Sequence, residues 1–315
     1  MISRRIIRIK VMQSLYAFHS SSDQTIKQAE TELFHSINKS YDLYHLLLLL
    51  LLDVRKHAQE LIEQRMQKKM PTPEDLNPNR RFINNSIVTN LLNNQPLQKY
   101  IELKKLNWTD FPQLIRNIYN KLIDSEAYKQ YMSKAETTLA DDRAIIDFFY
   151  ITIVAESEEL YEILEEKSIY WNDDTEFVIS MILKTIQKFK PNSSDLKSLM
   201  PLFKDEDDID FTKTLFRKAV LNHEDNRQII EKHLHNWDLD RVAFIDLLIM
   251  ELALCELMHF PSVPSKVTLN EYIDLARYYS TSKSRNFING ILDKMLKTLK
   301  AEGKVNKTGR GLIGE

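Results

Sequence analysis

The sequence predicts an all-α fold, and three observations carry that prediction. Apolar residues recur at helical spacing in nearly every segment, no stretch alternates strictly for more than a few residues, and prolines gather where the helical patterns stop. "IIRIKVMQSLYAF" sets Ile7, Val11, Leu15 and Phe18 on one stripe. A long pattern over 25–69 ends at "MPTPEDLNPN". The leucine run 46–52 inside it, bounded by His45 and Asp53, is far shorter than the roughly 20 residues of a membrane span and reads as a buried helical turn. Helical stretches follow near 81–93, 97–106, 112–133, 141–167 and 174–189, the last stopped by Pro191. "PNSSDLKSLMP" and the acidic run 205–210 read as a linker, and 209–222 and 224–236 as two more helices.

"DLDRVAFIDLLIMELALCELMHF" is apolar on nearly all sides, which predicts a central buried helix stopped before Pro261 and Pro264. Thr268 and Glu271 then have the spacing of a capping box, with Val267 and Tyr272 placed as its hydrophobic staple. A final helix starting near 282–284 turns Phe287, Ile288, Ile291, Leu292 and Met295 toward a core. No internal repeat is present.

At 315 residues, 43% hydrophobic and 28% charged, the chain is long enough for roughly two domains of about 150 residues each. Its formal charge of −2 is not that of a globally basic nucleic-acid binder, but the total hides an asymmetry. The first 22 residues carry Arg4, Arg5, Arg8 and Lys10 and no acid, and from Lys283 to Arg310 eight Lys and Arg face only Asp293 and Glu302. Two basic ends on an acidic body make one anion-binding face if the fold brings them together. The single cysteine, Cys255, allows no intrachain disulfide, which fits a reducing compartment. With no apolar stretch of signal-peptide length at the N-terminus, a cytoplasmic protein without membrane contact is expected.

Glycine excludes whole classes of chemistry. The chain has five, the first at Gly290, so residues 1–289 hold neither a phosphate-binding Walker loop nor a dinucleotide fingerprint. His223, His233 and His235 lack a second cysteine or an H-E-x-x-H frame, and read as solvated or helix-terminal rather than as metal ligands. The pairs Glu158–Glu159 and Glu165–Glu166 read as solvated faces, Asp246, Glu251 and Glu256 as internally paired, and Cys255 has no base partner. The expectation is no enzyme, no cofactor and no metal.

What remains is the basic ends. Lys283, Ser284, Arg285 and Asn286 surround the start of the last helix, where unpaired N–H groups favour anions, and Phe287 adds a ring. Arg4, Arg5 and Arg8 lead into a helix bearing Gln13 and Tyr16. Cations, amides and aromatic rings are the means by which single-stranded RNA is held. Gly290 falls at the edge of the core arc beside Lys294, and a missing side chain there predicts close helix packing next to the basic turn.

"RRIIRIKVMQSLYAF", "NWDLDRVAFIDLLIMELALCEL", "VPSKVTLNEYIDLARYYS" and "SRNFINGILDKML", in that order, resemble the NusB family of bacterial transcription antitermination factors. The resemblance covers about 1–20 and 206–300. It implies a NusB-like helical bundle with residues 21–205 inserted as a helical region of unknown role, and leaves 301–315 as a basic, flexible tail. It implies binding of the boxA segment of single-stranded ribosomal RNA leaders together with NusE, a ribosomal small-subunit protein, and entry into an antitermination complex on RNA polymerase. By position, RNA contact falls to Arg4, Arg5, Arg8, Gln13, Tyr16, Lys283, Ser284, Arg285, Asn286, Phe287 and Asn289. Two departures stand out: Lys283 replaces an acidic residue usual in the family, and Ile7, Arg8 and Ile9 replace a frequent Ala-Arg-Glu. The alternatives are a helical interaction scaffold that works through the insertion, and the accessory domain of an RNA methyltransferase, which lacks a catalytic domain here.

Overall fold

Small polar residues start the helices that apolar periodicity predicts. Ser3, Thr72, Asn85, Asn94, Ser125, Thr138, Ser157, Asp205 and Thr281 each accept a hydrogen bond from a backbone N–H of the turn they precede. The computed structural model describes all residues except 22, 190–198, 235–240 and 315, and all of their side chains except that of residue 282. Among these are fifteen α-helices and no strand: α1 (Arg4–Ser20), α2 (Ile26–Met66), α3 (Pro73–Leu76), α4 (Ser86–Leu92), α5 (Gln95–Lys104), α6 (Pro112–Asp124), α7 (Glu126–Ser133), α8 (Leu139–Phe148), α9 (Glu158–Lys167), α10 (Thr175–Gln187), α11 (Glu206–Leu221), α12 (His223–Glu231), α13 (Phe244–His259), α14 (Ser265–Tyr279) and α15 (Ser282–Ala301). None of them is long and apolar enough to cross a membrane.

The chain divides into two compact units. One holds Met1 and residues 38–202, the other residues 2–37 and 203–315, so α2 supplies residues to both.

In the first unit the leucine run is core, with five of its seven side chains at most 1% exposed. Large aromatics anchor on the same helix: Trp108 Nε1 donates to Leu46 O at 3.0 Å, Tyr150 Oη to Leu47 O at 3.0 Å, and Trp171 Nε1 to Lys39 O at 2.7 Å. Burial of each ring therefore leaves no donor unpaired. Tyr150 belongs to a π-helical segment, Phe149–Val154, that interrupts the stretch expected as one helix over 141–167. His45 stacks on Tyr100 with centroids 3.8 Å apart, and its Nδ1 lies 2.8 Å from Tyr41 O.

In the second unit α13 is the hub, touching α1, α11, α12, α14 and α15. Every residue from Asp246 to Leu257 is buried, as the all-round apolar pattern predicts. Three sequence expectations are corrected here. The acidic run 205–210 is not linker: Asp205 caps α11, and Glu206, Asp207 and Asp208 fill its first turn, where helix-dipole charge favours carboxylates. Of the remaining linker reading, over 191–201, residues 191–198 lie outside the described residues, and Leu199 is buried. Helix α14 starts at Ser265, so Thr268 and Glu271 form no capping box. Residues 303–313 are held down rather than loose: Lys307 Nζ donates to Leu257 O and Phe260 O, both at 3.1 Å, capping the end of α13. Gly311 is the glycine that close packing demands, because a Cβ there would sit 1.9 Å from Pro261 O.

Thr268 and Glu271 instead serve a buried ion pair. Arg8, 3% exposed, grips Glu256 with Nε to Oε2 and Nη2 to Oε1, both 2.7 Å. Thr268 Oγ1 donates to Oε1 at 2.9 Å and Tyr272 Oη to Oε2 at 3.1 Å, so each carboxylate oxygen accepts two bonds. Glu271 Oε2 lies 3.5 Å from Nη1, and the Phe211 and Tyr272 rings flank the guanidinium. Burial opposes the charge on Arg8, but the hydrogen bond and charge of Glu256 outweigh it and hold its pKa above the ordinary value.

Arg8→Met is expected to cost about 3–5 kcal/mol in chemical denaturation, since it leaves Glu256 charged, buried and unpaired. Adding Glu256→Leu recovers part of that loss but not all, because Thr268 and Tyr272 then lack an acceptor; a double variant no more stable than the single one counts against this account. A second expectation concerns His45, whose pKa burial depresses from 6.5 to about 4. Between those values the unfolded chain takes up a proton that the folded chain refuses. Stability from neutral His45 is therefore present above pH 6.5 and lost as pH falls toward 4, by up to about 1.4 kcal/mol per pH unit. His45→Phe should flatten the dependence of the denaturation midpoint on pH between 7 and 5.

Candidate nucleic-acid interface

Three arginines open α1, and the fold treats each differently. Arg8 projects about 20° from Leu15 around the helix, on the stripe that packs inward. It is buried against Glu256, which corrects the expectation that it contacts RNA. Lys10 is buried as well. Arg4 is 38% exposed, donates to Asp208 Oδ1 at 3.0 Å and lies over the Phe211 ring at 4.9 Å. Arg5 is 40% exposed, pairs loosely with Asp274 at 3.4 Å and lies 5.7 Å from the centroid of the Tyr278 ring.

Tyr278 is approached by arginines from two helices, Arg5 of α1 and Arg277 of α14. It lies one residue before the end of α14, is 69% exposed, and has Arg277 over its ring at 5.9 Å in addition to Arg5. Three residues separate it from Ser282, the first residue of α15. At about 3.5 Å per residue, the first turn of α15 thus begins within about 14 Å of it. That turn is capped by Thr281, whose Oγ1 accepts from Ser284 N at 3.2 Å. Lys283, Arg285 and Asn286 are exposed and Ser284 is half-buried. Asn289 is exposed one turn further on, and Phe287 is half-buried toward the core side of the helix.

Gln13 and Tyr16 extend the α1 surface. Tyr16 is 47% exposed, falls about 20° from Arg5 around the helix and lies about 16 Å further along it. Its ring stands 5.5 Å from that of Phe244. Gln13 is half-buried. The exposed and half-exposed residues of α1, the end of α14 and the first turn of α15 thus include cations (Arg4, Arg5, Arg277, Lys283, Arg285) and rings (Tyr16, Tyr278), side-chain types suited to phosphates and unstacked bases. Arg277 and Tyr278 are absent from the sequence expectations, although the basic–aromatic "ARYYS" directly before the turn carries the signal.

Groups weighed for other chemistry sit as follows. Burial pushes the Cys255 thiol up to about 12, and Asn226 Nδ2 donates to its Sγ at 3.1 Å, the opposite of an activated nucleophile. Glu158, Glu165 and Glu166 are exposed, and Glu159 accepts from Asn117. His233 is engaged at both ring nitrogens, by Ile229 O and Thr298 Oγ1, and His235 lies outside the described residues.

Residues 180–297 match the family model described as NusB family. The transcription antitermination protein NusB of Salinibacter ruber is 39% identical over 139 residues, which is 42% of this chain and 87% of that protein. The protein of the same name from Chloroherpeton thalassium is 41% identical over 104 residues, 33% of this chain and 49% of its own length. A solved structure of T. maritima NusB aligns over 44% of this chain and 84% of its own at 25% identity, with a TM-score of 0.29.

Gly290 corrects a further expectation. It is exposed, and a Cβ built on it meets nothing within 4 Å, so no close helix contact requires it. Gly290→Ala is expected to raise stability by about 0.4–1 kcal/mol through the lost backbone entropy of glycine. Unchanged or lower thermal stability in that variant contradicts an open helical site.

Proposed function

The chain belongs to the NusB family, and from that premise we propose that it is a non-enzymatic transcription antitermination factor. It binds a boxA-type single-stranded RNA leader, acts together with NusE, and joins the antitermination complex on RNA polymerase. The observation that carries this reading is the exposed Tyr278 ring, with the guanidiniums of Arg5 and Arg277 5.7 and 5.9 Å from its centroid and the basic first turn of α15 starting four residues later. Guanidiniums engage phosphates while the ring offers a base a stacking surface. The carboxylate now paired with Arg5 is no obstacle, because an ion pair exposed on both sides is weak and a phosphate replaces one anion with another; Arg4 is held more firmly, by the buried Asp208. Lys283, exposed where the family usually has an acid, adds charge where a phosphate would lie.

A second reading, a helical interaction scaffold, is favoured by one observation: residues 38–202 form a unit with a hydrophobic core of its own. Partner binding that survives removal of residues 1–10, with no RNA binding by the intact chain, selects it.

The test is a salt titration of binding to a short boxA-like RNA and a scrambled control, with and without NusE. Each phosphate neutralised contributes about −0.7 to the slope of log affinity against log salt. Arg5→Ala, Arg277→Ala and Lys283→Ala are each expected to flatten the slope by about that amount. Tyr278→Ala should weaken binding by about 1–3 kcal/mol and leave the slope alone. Wild-type slopes in all three charge variants, with tight binding retained, place the RNA elsewhere.

A further inference from the structure

Three side chains that take no part in the basic face converge toward the other end of α1. His19 stacks on His223, the first residue of α12, with ring centroids 4.1 Å apart and planes 29° from parallel. His223 Nδ1 lies 3.0 Å from Oε2 of Glu251, in the middle of α13. One donor atom from each residue belongs to a group whose members all lie within 4.8 Å of one another.

Two atoms of this cluster have no partner. Glu251, 1% exposed, has Oε1 buried without a hydrogen bond, and so has His19 at Nε2. A buried polar atom left unmatched costs about 1–3 kcal/mol, more when it is charged. Two lone-pair donors left unmatched beside a third suit one shared acceptor, a cation. His19 is ready for it: burial first, then the charges of His223 and Arg227, depress its pKa to about 4, so the ring is neutral near pH 7. His223 is held above its ordinary value first by the bond to Glu251, so a proton and a cation compete for the same pair.

We propose that His19, His223 and Glu251 form a binding site for one divalent transition-metal ion, with zinc the best match to two imidazoles and a carboxylate. Zinc takes this donor set with bonds of roughly 2.0–2.1 Å, which places tetrahedral ligands about 3.3 Å apart and leaves a fourth position for water. The His223–Glu251 pair already has nearly that separation. The remaining contraction, about 1.5 Å or less, falls on His19, a half-buried ring next to the last residue of α1. Of the neighbouring charges on α12, Arg227 opposes a cation and Glu224 favours it. The ion would join α1, α12 and α13 at a point about 22 Å along α1 from Arg4, one turn beyond Tyr16.

The experiment uses the full chain, stripped with a chelator and titrated with Zn²⁺ against a chromophoric competitor at neutral pH. The ring-nitrogen resonances of the histidines are followed by NMR. Expected are one ion per chain at micromolar affinity or tighter, shifts confined to His19 and His223, and higher thermal stability on loading. His19→Ala, at a half-exposed position and with its helicity checked by circular dichroism, should weaken binding by about tenfold or more, while His233→Ala leaves it unchanged. Absent binding, undiminished binding in His19→Ala, or shifts at other histidines overturns the proposal.

Discussion

The buried pair of Arg8 and Glu256 is the interaction on which the second unit depends. A guanidinium and a carboxylate withdrawn from water are tolerated only when every charged atom finds a partner, and here α1, α13 and α14 all supply one. Such a pair adds little net stability over well-packed apolar side chains, but it admits far fewer geometries. An apolar α1 could rotate against α13 at modest cost. The two-pronged grip on Glu256 removes that freedom and fixes which side of α1 faces out. Arg5 and Tyr16 are exposed because Arg8 is not.

The same logic explains the acids within α13. A helix buried on all sides cannot send carboxylates to solvent, so each must be met by a neighbouring helix. Glu256 is met four times over. Glu251 is met once, by His223, and keeps one oxygen unmatched; Asp246 Oδ1 is unmatched as well. The saturated carboxylate organises the core. The unsaturated Glu251, beside two imidazoles, has coordination to spare, and that difference separates a structural acid from a candidate ligand on one helix.

Much of this fold is legible in the sequence, because helical periodicity reports burial directly. The central helix, the leucine run and the start of the last helix follow from pattern alone. What pattern does not show is which polar residue answers which. Thr268 and Glu271 have capping-box spacing, yet the helix begins earlier, and Thr268 turns to Glu256 while Glu271 turns to Arg8 across more than 250 residues of sequence. The acidic run 205–210 looks like solvated linker until Asp205 is seen to cap a helix and Asp208, in its first turn, to meet Arg4. Arg8 was legible in principle: its projection beside Leu15 already puts it on the apolar stripe. Gly290 and Gly311 show the limit, since only the packing around each distinguishes an open helical site from a contact with Pro261.

These placements redistribute the charge available to a ligand. Of the four cations near the N-terminus, Arg8 and Lys10 are buried, and Arg4 and Arg5 already hold carboxylates. The free positive surface therefore comes mainly from the junction of α14 and α15, where Arg277, Lys283 and Arg285 are exposed. Asp208 and Asp274 then serve a purpose beyond neutralisation. They hold the two α1 arginines over Phe211 and Tyr278 while no ligand is present, so less side-chain entropy is lost when an anion arrives. Under the proposed function, binding at this face would exchange one anion for another around rings already in place, with affinity set by how much better a phosphate fits than an aspartate.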